Sequence, residues 1–179
     1  RDTAISMIDV LVDHKVDIDD VPDIIEISDD WSSVGAITCI AGQSALDELA
    51  NIILMQLLQN KGFKPKLMSM ADVSNAHMQG VELNGTKLVV ISIFDIDHRG
   101  AYLKFLVRRL RRILPHASFL GGFWKHREGD AKLAEIAEIV SNQVKTLAEV
   151  VAYCAKQALV ETPEPTGDSN ASNEKPALV

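Results

Sequence analysis

Four short apolar runs, each followed by residues of helical periodicity or by a glycine break, constrain the fold of this chain most strongly. They are AITCIA (36–41), KPKLMSM (64–70), KLVVISIF (87–94) and SFLGGFW (118–124). Short β-branched runs alternating with helical segments argue for βαβ units and a parallel sheet. Right-handed crossovers then leave few topologies. The economical one is α/β, a three-layer open parallel sheet of flavodoxin-like form with strand order 2-1-3-4-5. A weaker fifth strand is expected over Glu138 to Asn142.

The intervening segments carry helix signals. Ser44 caps a helix whose first turn holds Asp47 and Glu48, where carboxylates complement the dipole. Its apolar residues Leu46, Leu49, Ile52, Ile53, Leu57 and Leu58 recur at helical spacing, and Gly62 stops it. A short helical turn is expected over 71–78, then a connection through Gly80 and Asn84-Gly85. A long helix runs from His98 to Leu114 and breaks at Pro115. Its apolar face is expected to hold Tyr102, Leu103, Leu106, Leu110 and Ile113. Ala131 to Ala137 and Thr146 to Leu159 also read as helical.

Outside this region the pattern changes. Ile5, Ile8, Leu11 and Val12 predict the end of a longer connector helix, since the chain opens on Arg1. An acid-rich, solvated linker follows to residue 34, so the domain is expected over 35–160. Residues 161–179 are polar and rich in Pro, Ser and Asn, which predicts a disordered tail.

Charge and cysteine usage narrow the function. Of 179 residues, 47% are apolar, enough for one core, and the net charge of −7 argues against a nucleic-acid partner. Cys39 and Cys154 fit small buried hydrophobes in a reducing compartment, and neither belongs to a CxxC. The longest apolar run, Leu88 to Phe94, is far shorter than the ~20 residues a membrane helix needs.

In open parallel sheets ligands bind beyond the carboxyl ends of the strands, at the switch point. That rule gathers a candidate ligand-binding set: Gly42, Gln43, Ser44, Ser92, Asp95, Asp97, Gly121 and Gly122. Gly42-Gln43-Ser44 opens a helix whose N–H groups suit an anion, although a plain turn and cap explains it as well. Asp95, Asp97 and His98 suggest acid–base or metal chemistry; a strand end and a helix cap account for them more simply. The paired glycines permit either close ligand approach or a turn. No residue set amounts to a catalytic or metal centre. A second candidate surface is basic: Arg108, Arg109, Arg111 and Arg112 lie on one helix and suit an acidic partner or anionic lipid.

Two resemblances add to this. LLQNKGFKPKLMSM, VVISIF and FLGG resemble the cobalamin-binding, flavodoxin-like domains. That family places a cobalt-ligating histidine in a DxHxxG loop after the first strand. Gly42 to Asp47 carries no histidine there, so the resemblance implies the fold and disfavours cobalamin as a cofactor. More closely, CIAGQSALDELANIILMQLLQNKGF and FLVRRLRRILPHASFLGGFW are similar to the soluble C-terminal domain of permeases in the autoinducer-2 exporter family. That resemblance implies a non-catalytic regulatory or ligand-sensing domain, cytoplasmic, beside the inner membrane. Its partners would be the membrane domain of the same chain and an unidentified small molecule, with a homo-oligomer left open. The rival expectations are a cobalamin- or nucleotide-binding enzyme using the same crevice, and a receiver-like module with Asp95 as phosphoacceptor.

Overall fold

The computed structural model describes residues 27–69, 72–73, 83–94, 100–124 and 140–158. Among these residues nine elements follow in order: α1 (Asp29–Ser32), β1 (Ile37–Ala41), α2 (Ala45–Asn60), β2 (Lys66–Ser69), β3 (Leu88–Ile93), α3 (Gly100–Ile113), β4 (Ser118–Phe123), β5 (Asn142–Val144) and α4 (Leu147–Ala158). The five strands form one sheet, ordered β2-β1-β3-β4-β5, with every pair parallel. This is the flavodoxin-like arrangement that the spacing of apolar runs predicts.

β3 is central because it can be buried on both faces. All six of its residues are inaccessible to solvent or nearly so, as expected for a strand covered by helices on both sides. Its alternate side chains feed two cores. Leu88 and Val90 enter the core under α2 and α4, with Ile37, Cys39, Leu54, Leu58, Leu120, Val151 and Cys154. Val89, Ile91 and Ile93 enter the core under α3, with Ile40, Met68, Leu103, Leu106, Leu110 and Phe119.

α2 begins in a reciprocal cap. The Asp47 N–H donates to Ser44 Oγ at 3.1 Å, and the Ser44 N–H donates to Asp47 Oδ2 at 3.0 Å. It ends where Gly62 adopts a φ of +90°, a conformation open to glycine at little cost. Of the apolar residues at helical spacing, Leu58 is buried and Leu46, Ile53 and Leu57 pack partly against the core under α2 and α4. Asp47, Ala50, Asn51, Leu54 and Leu58 are buried, whereas Leu49 and Ile52 are 41% and 46% exposed. α2 places polar residues inside, Asp47 and Asn51, and apolar ones outside, Leu49 and Ile52, so spacing alone does not fix which face turns inward.

Three other boundaries move. β5 lies at Asn142–Val144, where the expected strand over 138–142 ends. It is a polar edge strand held by β4, with Leu120, Gly121 and Gly122 opposite Asn142, Gln143 and Val144. On α3 the inward residues are Leu103, Leu106, Val107 and Leu110. Tyr102 and Ile113 point outward instead, because they lie beyond the stripe that α3 lays on the sheet. The last residues of the expected acidic linker belong to the folded body. Ile27 and Trp31 pack partly on the first core, and the Ser28 N–H donates to the Ala158 carbonyl at 3.2 Å. The connector helix, the turn over 71–78, the helix over 131–137 and the tail lie outside the described residues.

Candidate functional site

The carboxyl ends of β1 and β3 meet the amino end of α2, and a buried polar cluster joins them. Asp47 Oδ1 accepts the Phe94 N–H at 2.7 Å, while Oδ2 accepts the Ser44 N–H. Asn51 Nδ2 donates to the Asp47 carbonyl at 3.1 Å, and Ser92 Oγ donates to Asn51 Oδ1 at 3.2 Å. The Gly42 N–H closes the circuit on the Ser92 carbonyl at 3.1 Å. Asp47, Asn51 and Ser92 are each at most 1% exposed. Burying a carboxylate is costly unless it is well hydrogen-bonded, and here backbone N–H groups and a helix N-terminus supply that.

This geometry gives Gly42 a reason. A Cβ there would lie 2.2 Å from Asp47 Oδ2, so a side chain at position 42 would displace the carboxylate. Three of the predicted ligand-binding residues, Gly42, Ser44 and Ser92, are thus brought together around Asp47. Gln43 is exposed beside them. An anion approaching this helix N-terminus meets the Asp47 carboxylate, already seated on the Ser44 and Phe94 N–H groups. Asp95, Asp97 and His98 lie outside the described residues.

Gly121 and Gly122 sit within β4, neither of them with a positive φ. Each makes room for a ring two residues on. A Cβ on Gly121 would come 2.5 Å from the Phe123 ring, and one on Gly122 would come 2.4 Å from the Trp124 ring. The two rings lie on opposite faces of the sheet, Phe123 in the core under α3 and Trp124 in the core under α2 and α4. The Trp124 ring is 6% exposed, and its Nε1 is the buried side-chain polar atom without a hydrogen-bond partner among the described residues.

Burial decides the chemistry of the thiols. It pushes Cys39 up from 9.0 to about 12, with desolvation as the cause. Cys154 is also raised, first by burial and then by the neighbouring Cys39. Both stay protonated and poorly nucleophilic near neutral pH. Among the described residues no cluster of three metal-binding side chains occurs.

A groove of about 560 Å³ lies at the other end of the sheet, before β3 and β4. Trp31, Asn84, Lys87, Pro115 and His116 help to line it. Lys87 there pairs with Asp30 of α1. Sequence reasoning missed this groove, because its walls are the Asn84-Gly85 turn and the Pro115 break, which read only as connections. It also missed the Asp47–Asn51–Ser92 cluster. The signal available was Asp47 and Asn51, two polar residues one turn apart on the helix face that Ala50, Leu54 and Leu58 share.

The four arginines divide. Arg108, Arg111 and Arg112 are exposed and Arg109 is half-buried. Arg111 turns back so that its guanidinium carbon stands 5.5 Å from the Phe119 ring centroid, within cation–π range. Comparison with protein-family models, curated proteins and solved structures finds no match for the chain.

Proposed function

We propose that this chain supplies a non-catalytic, cytoplasmic accessory domain of a membrane-bound permease, one that regulates by docking through its outer surfaces. The observation that carries this reading is the Asp47 carboxylate. At the point where flavodoxin-like sheets take their ligands, it already accepts the amides of Ser44 and Phe94. Two exposed apolar side chains on α2 support docking: Leu49 and Ile52 stand out beside Glu48 and Gln56. No helix among the described residues is long and apolar enough to cross a membrane, so on this reading the spans belong to another part of the parent polypeptide.

Two experiments test the reading. An antibody raised against the chain should find the parent polypeptide in the membrane fraction, resistant to alkaline carbonate extraction. Recovery wholly in the soluble fraction would overturn the permease reading. Titration of the chain with cobalamin should leave the cobalamin spectrum unchanged; a shifted spectrum would favour the corrinoid enzyme instead.

The orphaned Trp124 Nε1 supports a second reading, a ligand-sensing site at the end of β4. A buried donor without a partner costs about 1–3 kcal/mol, which a ligand or water acceptor would recover. Indole fluorescence followed during a small-molecule screen tests it. Hits whose signal survives Trp31→Phe and disappears in Trp124→Phe would support it, and a screen without such hits would count against it.

A further inference from the structure

We infer that the outward face of α3 is a docking surface for an anionic phospholipid bilayer. This deepens the membrane-accessory reading, and it rests on that reading for its cellular setting.

The sequence of α3, GAYLKFLVRRLRRI, holds five cations and no acid, in a chain whose net charge is −7. Helix-dipole stabilisation explains cations in the last turn, Arg111 and Arg112. It does not reach Arg108 or Arg109. The inward face is fully committed, with Leu103, Leu106, Val107 and Leu110 buried under the sheet. The outward face nevertheless carries three more large apolar side chains: Tyr102 is 37% exposed, Phe105 50% and Ile113 47%. Steps of three and four residues lead from Tyr102 to Phe105 and Arg109, and from Arg109 to both Arg112 and Ile113, so these residues form one continuous outer stripe. Phe105, Arg109, Arg112 and Ile113 line a shallow hollow of about 340 Å³ within it.

Aromatic and aliphatic groups flanked by arginines are what an interfacial helix needs. The apolar groups enter the boundary between headgroups and acyl chains, while the cations meet lipid phosphates. Arg112 follows Arg109 and Arg108 by three and four residues, so the three are neighbours, with Phe105 and Ile113 beside them. An anionic bilayer engages both the cations and the apolar groups, whereas an acidic segment would leave the apolar groups without a partner. Repulsion from the rest of an acidic chain is short-ranged, because physiological salt screens charges beyond about 8 Å.

The test is cosedimentation of the 179-residue chain with vesicles of phosphatidylcholine alone or mixed with phosphatidylglycerol. Binding is expected to the mixed vesicles only, and to fall steeply with added salt. Each cation near an anionic surface contributes about 1 kcal/mol, roughly fivefold in affinity. Replacing Arg108, Arg109 and Arg112 together with Gln should therefore weaken binding on the order of 100-fold, and replacing them with Lys should largely preserve it. Phe105→Ser should weaken binding while leaving its salt dependence unchanged. Circular dichroism guards against misfolded variants. Equal binding to neutral vesicles, no binding to either, or an unaffected triple Gln variant would overturn the proposal. So would capture by polyglutamate without vesicle binding, which assigns the face to an acidic protein. Vesicle binding by a chain whose parent fractionates as soluble would leave this surface standing and remove the permease reading alone.

Discussion

The carboxylate of Asp47 holds the backbone N–H of Phe94 at 2.7 Å, tying the first turn of α2 to the end of the central strand. Its second oxygen holds the Ser44 N–H, so one buried side chain satisfies donors from two separate loops. Asp47→Ala strands both. Hydrogen bonds to charged groups contribute about 1.5–3 kcal/mol, and a loss of that size or somewhat larger is expected in urea denaturation. Asp47→Asn should recover only part of it, because its amide presents a donor to one of the two N–H groups. A change under about 0.5 kcal/mol in the alanine variant would show that the cluster is not structural.

The glycine pair in β4 makes a steric prediction. Gly122→Ala drives a Cβ into the Trp124 ring, and overpacking of this kind costs about 1–3 kcal/mol. Combining it with Trp124→Leu should cost less than the sum of the two single changes, since the second removes the clash. Strict additivity in thermal denaturation would contradict the geometry.

The two faces of α2 should respond oppositely. Leu54 is fully buried, and Leu54→Ala is expected to cost about 2–5 kcal/mol. Leu49→Gln and Ile52→Gln together should change stability by about 0.5 kcal/mol or less. They should instead abolish whatever contact the outer face makes, measured as a gain in solubility or a loss of self-association. A large stability loss in the Gln variant would place these side chains inward after all.

Alkaline pH tests the thiols. The unfolded Cys39 loses its proton near 9.0, while the folded thiol holds it to about 12. Between those values the native state binds more protons than the unfolded state, so stability falls as pH rises. The slope is about 1.4 kcal/mol per pH unit for each such thiol. Cys154, raised in the same direction, adds to it. The double variant Cys39→Ala, Cys154→Ala should lose this part of the alkaline slope, which isolates it from lysine and tyrosine titration. Identical slopes in both proteins would refute the assignment.

The sheet was legible in the sequence because its strands are runs of local hydrophobicity bounded by Gly42, Gly62 and Pro115. β5 was less so: Asn142 and Gln143 are polar and exposed, and only their pairing with β4 makes them a strand. The face of α2 was legible in part: Leu46, Ile53, Leu57 and Leu58 turn to the core, whereas Leu49 and Ile52 share their spacing yet lie outside, because buried Asp47 and Asn51 take inward positions. Ser44 and Asp47 were recognisable as a cap and a first-turn acid. The deeper role of Asp47 depends on Phe94, which is remote in sequence, and no local pattern encodes that meeting. Gly121 and Gly122 read as room for a ligand or for a turn, and the rings of Phe123 and Trp124 stand where their side chains would be.

The strand order has a consequence for how the chain is made. β3 pairs with β1 on one side and waits for β4 on the other. During synthesis the residues of β2, β1 and β3 all precede β4, so a half-sheet of these three would have β3, buried throughout in the folded protein, as its open border. At about 5–20 residues per second, the stretch between β3 and β4 leaves that border unpaired for roughly 1–6 s. An exposed strand edge of that kind is a template for pairing with another chain. Slowed translation between Phe94 and Ser118, or premature release there, should therefore raise aggregation by leaving a well-buried strand with an open edge.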